Sequence, residues 1–186
     1  MREDNSTRVA RVFFALWPAD AERAALATWQ QPLSQLCGGR LIPADNLHNT
    51  LVFLGEIEIE RLQALQLAAQ EVSGAEFQLS FDSARYWGHN HIVYAAPGRV
   101  PTQLIELVNG LEQRLRQHHF KFDQRPYKPH VTLMRHAKWS DSPLPVMQAV
   151  MWSMRDFALV QSSSGGQGVR YEVLARFPLI SPDRKK

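Results

Sequence analysis

The sequence predicts an α+β fold: two lobes related by a pseudo-twofold axis, with two antiparallel sheets lining a central cleft and helices on their outer faces. Three observations carry this expectation. The order strand, proline, helix, loop, strand occurs twice. Its internal distances nearly agree, with Val12 to His48 spanning 36 positions and Ile92 to His130 spanning 38. Both units close on one phrase, "LHNTLVF" at 47–53 and "PHVTLMR" at 129–135. No short-period repeat is present, so this is a duplication within one fold. The 186 residues are read as a single domain of two interleaved lobes, with repeat units of approximately 11–87 and 91–160 and tail strands to 180.

Each element has its own signal. "RVFFALWP" (11–18) is β-branched and aromatic and stops at Pro18, as a strand does. "DAERAALATWQQPLSQL" (20–36) opens on Asp20, carries apolar residues at helical spacing and ends at Gly38-Gly39. After the loop "RLIPADN" comes a strand over roughly 47–54, closed by Gly55-Glu56. "EIERLQALQLAAQEV" is an amphipathic helix, and "FQLSFDSARYW" (77–87) alternates like a half-buried strand. The second unit repeats the order. "HIVYAAPG" (91–98) is a strand stopped at Pro97. "TQLIELVNGLEQRLRQHH" (102–119) is a helix with Leu104, Leu107, Val108, Leu111 and Leu115 on one face. The loop "FKFDQRPYKP" then leads into the strand at 129–135. Two tail strands, "VMWSMRDFALVQS" and "VRYEVLARFPLI", flank the flexible "SSSGGQG".

Composition narrows the class. A hydrophobic share of 45% with 21% charged residues is ordinary for a globular protein. Cys37 is the single cysteine, so no internal disulfide is possible and a reducing compartment is the simplest expectation. "MREDNSTRVARVFF" places acidic and polar residues before the first apolar run, which argues against a signal peptide. No apolar stretch approaches the roughly 20 residues that span a bilayer. A cytoplasmic, monomeric protein with no membrane association is expected. The +3 net charge is unevenly spread. Arg114, Arg116, Lys121, Arg125, Lys128, Arg135 and Lys138 face one acid, Asp123, and Phe120, Phe122 and Tyr127 lie among them. Such interleaving suits a nucleic-acid surface or, equally, a solvated helix end and loop.

The repeated phrase carries the chemistry. Residues i and i+2 of a strand share a face, so His48 projects with Thr50 and His130 with Thr132. A twofold would bring two imidazoles and two hydroxyls around one small anion. In-line displacement at a phosphodiester needs a proton removed on one side and supplied on the other. Imidazole, with an ordinary pKa near 6.5, can do either at one pH, so the pair serves without a metal. With seven His and five Thr in the chain, chance predicts roughly 0.2 such pairs, against the two that occur at matching places. Other clusters are weaker. His89 and His91 have the spacing of a metal-binding strand but no carboxylate or thiolate beside them. His118-His119 closes a helix. Cys37 has no activating neighbour, and "SSSGGQG" lacks the Lys-Thr of a phosphate loop.

"LHNTLVFLGE" and "PHVTLMR" resemble the paired motifs of the two-histidine (2H) phosphoesterase superfamily, most closely its LigT-like RNA 2′,3′-cyclic phosphodiesterases, and the likeness covers nearly the whole chain. The resemblance implies a bilobal duplicated fold, no metal or other cofactor, and hydrolysis of an RNA terminal 2′,3′-cyclic phosphate to a 2′-phosphomonoester. RNA 3′ ends or small cyclic nucleotides would be the partners. It also implies that His48 is the proton donor and His130 the acceptor, roles that symmetry alone does not assign. The family often has an arginine five positions after the second histidine, contacting phosphate, which is Arg135 here. Strand parity argues that Arg135 points away unless the strand bulges or ends there. Tyr127 is a candidate for stacking on a base or for a lid over the sheet edge. Phe14 would line the cleft or fill the core. Two alternatives remain: a non-catalytic RNA-end or nucleotide-binding module, and 2′–5′ RNA ligation as the reverse reaction.

Overall fold

The computed structural model describes residues 8–139, 143–166 and 168–181. Two antiparallel sheets organise it. One runs in the order β3 (Asn49–Glu58), β1 (Val9–Leu16), β8 (Asp156–Gly165), β9 (Gly168–Pro178). The other runs β2 (Arg40–Leu41), β6 (Val131–Arg135), β5 (Ile92–Pro97), β4 (Phe77–Trp87), β7 (Val150–Met154). The duplication is visible in these orders. β3-β1-β8 matches β6-β5-β4, and the halves have exchanged their third strands, so each sheet contains chain from both.

One face of each sheet is sealed by helices α1 (Asp20–Ala27), α2 (Gln30–Cys37), α3 (Leu62–Gln70) and α4 (Thr102–Gln117). The i, i+3, i+4 spacing of Leu104, Leu107, Val108, Leu111 and Leu115 puts all five in one core with Val12, Phe14 and Leu16 of β1 and Leu79 and Phe81 of β4. Fully burying each such side chain contributes about 1.5–3 kcal/mol. The opposite faces carry smaller apolar groups, Phe13, Ala15, Trp17, Ala158 and Val160 on one sheet and Ile92, Tyr94 and Ala96 on the other. These faces border the cleft.

The structure differs from the sequence reading in several places. The helix expected over 20–36 is two helices, because Pro32 has no N–H for a continuous ladder and sits in the first turn of α2, where none is needed. "RLIPADN" includes the two-residue strand β2, paired with the end of β6. "VMWSMRDFALVQS" breaks at Arg155 into β7 and β8, which belong to different sheets. The first motif strand begins at Asn49 and runs past Gly55 to Glu58. Gly55 accommodates this with φ of 78°, a conformation glycine adopts without strain.

Gly38-Gly39 does more than end α2. A Cβ on Gly39, whose φ is 94°, would come within 2.8 Å of the Arg135 carbonyl, whereas nothing lies within 4 Å of one on Gly38. The glycine therefore lets β2 dock on β6. Gly39→Ala should lower the unfolding free energy by about 1–3 kcal/mol in a urea titration, and Gly38→Ala by less.

Candidate active site

Both motif histidines sit one residue ahead of their strands, His48 before β3 and His130 before β6. Each ring is held the same way. His48 Nδ1 donates to the Asn46 carbonyl at 2.7 Å, and His130 Nδ1 donates to the Lys128 carbonyl at 2.7 Å. A carbonyl only accepts, so the Nδ1 proton is fixed and Nε2 is left as the nitrogen that exchanges protons.

A bulge follows each motif at the same offset. Ala15 pairs with Thr50 and Phe14 with Val52, leaving Leu51 as the extra residue on β3. Tyr94 pairs with Thr132 and Val93 with Met134, leaving Leu133 extra on β6. The consequence is a reversal of parity. Leu51 and Val52 both turn into the core, as do Leu133 and Met134, so the residue five past each histidine returns to the cleft. That residue is Phe53 in one half and Arg135 in the other. Arg135 thus faces the cleft by way of the bulge that a strict two-residue alternation leaves out.

The cleft has a volume of about 580 Å³, and His48, Thr50, His130, Thr132, Phe53 and Arg135 all line it. Aromatic rings enclose both imidazoles. His48 lies between Trp17, stacked at 5.2 Å, Phe13 at 5.0 Å and Tyr171 edge-on at 5.2 Å. His130 meets the edges of Trp87 at 4.7 Å and Tyr94 at 5.7 Å. Behind Trp17 lies the buried Arg23, its guanidinium 5.4 Å from the indole and bonded to the Asp45 carbonyl at 2.7 Å. It braces the 44–46 turn whose last carbonyl anchors His48. Arg11 and Arg40 also line the cleft. Arg40 stands directly opposite Arg135 across β2 and β6, and like charges so placed repel unless an anion lies with them.

Burial and positive neighbours both disfavour a protonated ring here. Desolvation, followed by the charges of His130, Arg135 and Arg23, lowers the His48 pKa to about 4, against the opposing pull of the Asn46 carbonyl. The His130 pKa is lowered too, chiefly by desolvation and then by Arg135. An anion between the rings would reverse both effects.

Several expectations are corrected. Phe14 is fully buried in the core and does not line the cleft. β1 alternates, and its cleft face is Arg11, Phe13 and Ala15, continued by Trp17 just past its end. The parity of Arg11, the one polar residue in that run, was the available signal. Tyr127 lies behind the site, packed on the core, with its hydroxyl donating to Asn49 Oδ1 at 3.0 Å. Burial raises its pKa, so it stays protonated as a donor. The basic-aromatic window forms no stacking surface. Phe120 and Phe122 are buried, with Arg61 and Arg116 over their rings, and Arg125 pairs with Asp123. Of that window, Arg135 lines the cleft. His91 Nδ1 bonds the Tyr86 hydroxyl at 2.9 Å, His118 bonds Glu71 at 2.9 Å, and Cys37 is buried. Among the described residues no three metal-ligating side chains cluster.

Residues 17–164 match the family described as the 2′-5′ RNA ligase superfamily. The chain is 33% identical over 170 residues to the RNA 2′,3′-cyclic phosphodiesterase of Escherichia coli K12, covering 91% of this chain and 96% of that protein. It is 30% identical over 178 residues to the protein of the same name from Thermus thermophilus, covering 91% and 90%. Its fold superposes on the crystal structure of E. coli LigT complexed with 3′-AMP with a TM-score of 0.81, at 31% identity, over 92% of this chain and 99% of that one.

Asn49 and Tyr127 join the two motif segments behind the rings. Asn49 is fully buried and its Nδ2 already lacks a partner. Tyr127→Phe would strand Oδ1 as well, so it should cost about 1–3 kcal/mol of stability by chemical denaturation and reduce turnover without removing any group from the cleft.

Proposed function

The chain belongs to the 2′-5′ RNA ligase superfamily, and we propose that it is an RNA 2′,3′-cyclic phosphodiesterase, opening a terminal cyclic phosphate to a 2′-phosphomonoester. The observation that carries this reading is the pair of imidazoles, His48 and His130, each with Nδ1 anchored to a carbonyl and both lining one cleft. His130 Nε2 takes a proton from water, and the water oxygen attacks phosphorus. The P–O3′ bond breaks as His48 Nε2–H protonates the leaving oxygen. The donor and acceptor assignment follows the family resemblance, and the near-symmetric geometry accommodates it. Solvent exchange then resets the two rings.

Thr50, Thr132 and Arg135, with Arg40 beside it, would hold the non-bridging oxygens. Phe53, at the place Arg135 occupies in the other half, offers a ring face to the base, which Tyr127, packed on the core, does not. Joining 2′–5′ ends is the same reaction reversed and would use the same groups. His48, Thr50, His130, Thr132 and Arg135 all come from one chain, which supports activity as a monomer, and the buried free thiol of Cys37 supports a cytoplasmic setting.

Three measurements test this. His48→Ala and His130→Ala should each lower kcat on a cyclic-phosphate oligonucleotide by about 10²–10⁴-fold with unchanged circular dichroism. Full activity in either variant, or tight binding without turnover by the wild type, would refute the mechanism. In pH profiles, kcat/KM reports the free protein, where both histidines lose their protons below their ordinary pKa near 6.5. It should therefore peak below that pH and fall as pH rises, while kcat, measured with the anion bound, peaks at higher pH. EDTA should leave the rate unchanged, because the two imidazoles supply both proton transfers.

A further inference from the structure

The cleft holds more positive charge than one phosphate uses. Arg11, Arg40 and Arg135 come from three separate strands, and none has an ion pair among the described residues. Arg135 and Arg40 face each other beside the second motif. Arg11 stands apart, on the wall formed by the other sheet. Along the cleft face of β1 it follows Phe13, whose ring is 5.0 Å from His48, and two residues of strand place it about 6.6–6.8 Å further on. Ser162 lies directly opposite it on β8, and Ser164 continues the same edge of the cleft. On its other side Glu56 is opposite in register yet forms no ion pair with it. The Arg11 guanidinium rests 4.8 Å over the Phe53 ring. A base seated on that ring would displace it and free its donors.

We infer that Arg11, with Ser162 and Ser164, binds a second, non-reacting phosphodiester of the same strand, the one on the 5′ side of the terminal ribose. The cleft then selects an oligoribonucleotide end over a mononucleoside cyclic phosphate. This inference rests on the proposed function and names the substrate that its site takes. A guanidinium fork beside two hydroxyls matches a phosphodiester's two non-bridging oxygens. The upstream phosphate is one ribose away from the reacting one, and Arg11 is one same-face strand step beyond the ring that touches His48.

The test compares three substrates: a mononucleoside 2′,3′-cyclic phosphate, a dinucleotide ending in the same group, and that dinucleotide with a neutral methylphosphonate linkage. The wild type should prefer the charged dinucleotide over both others. Arg11→Met should reduce that preference about tenfold, mainly through KM, as the loss of one charge-assisted contact does. It should also make the salt dependence of log kcat/KM shallower by about 0.7. Arg11→Lys should recover part of the preference and the full salt slope. Equal losses on all three substrates would overturn the inference and assign Arg11 to the base. So would a wild type indifferent to the linkage charge. If the wild type turns over none of the three, the function reading itself fails. Direct binding of the 2′-phosphorylated dinucleotide, with charged or neutral linkage, to the wild type and Arg11→Met then decides the subsite separately.

Discussion

Two backbone carbonyls, those of Asn46 and Lys128, determine what the site can do. Each accepts the Nδ1 proton of the imidazole two residues on, and this single contact fixes tautomer and ring direction together. It also explains why the histidines precede their strands. Inside a ladder a carbonyl is engaged by the neighbouring strand, whereas a carbonyl ahead of the ladder is free to hold a side chain. The threonines, one turn of the pleat later, then belong to the sheet and take their direction from it.

The bulges complete the arrangement. An extra residue after each threonine sends two consecutive apolar side chains inward and brings the next one back to the cleft. The halves remain alike up to that point and differ there, with a ring in one and a guanidinium in the other. A phosphate and a base need unlike surfaces, and the duplicated scaffold supplies both at related positions. The surrounding rings cover part of each imidazole, and the arginines add positive charge. The protein alone therefore disfavours the protonated form of both rings. In the proposed reaction the substrate's own negative charge supports the proton that its leaving group needs.

Much of this was legible in the sequence. The repeat, both motif strands, α4 and the strand at 77–87 follow from periodicity and spacing, and the cleft residues His48, Thr50, His130 and Thr132 follow from strand parity. What was not legible depends on pairing between distant segments. Within "RVFFALW" the two alternating sets differ only by Arg11, which marks the set of Phe13; a single polar residue is a faint signal, and the choice is made by which face meets the helices. Arg135 needed a bulge, a property of two strands together. Phe120, Phe122 and Tyr127 read as a surface because their neighbours are charged, but the rings turn inward and the charges snorkel around them. Arg40 came from a stretch too short to show any period, and Tyr171 from a tail strand with no motif.

The bond between Tyr127 and Asn49 has a mechanical meaning. Asn49 adjoins His48, and Tyr127 adjoins Lys128, whose carbonyl aims His130, so this contact ties the backbones that carry both rings. It acts as a spacer bar set behind the jaws. The long irregular stretch before the second motif is thus a strut that gauges the gap between the imidazoles, and drift in one half is carried into the other.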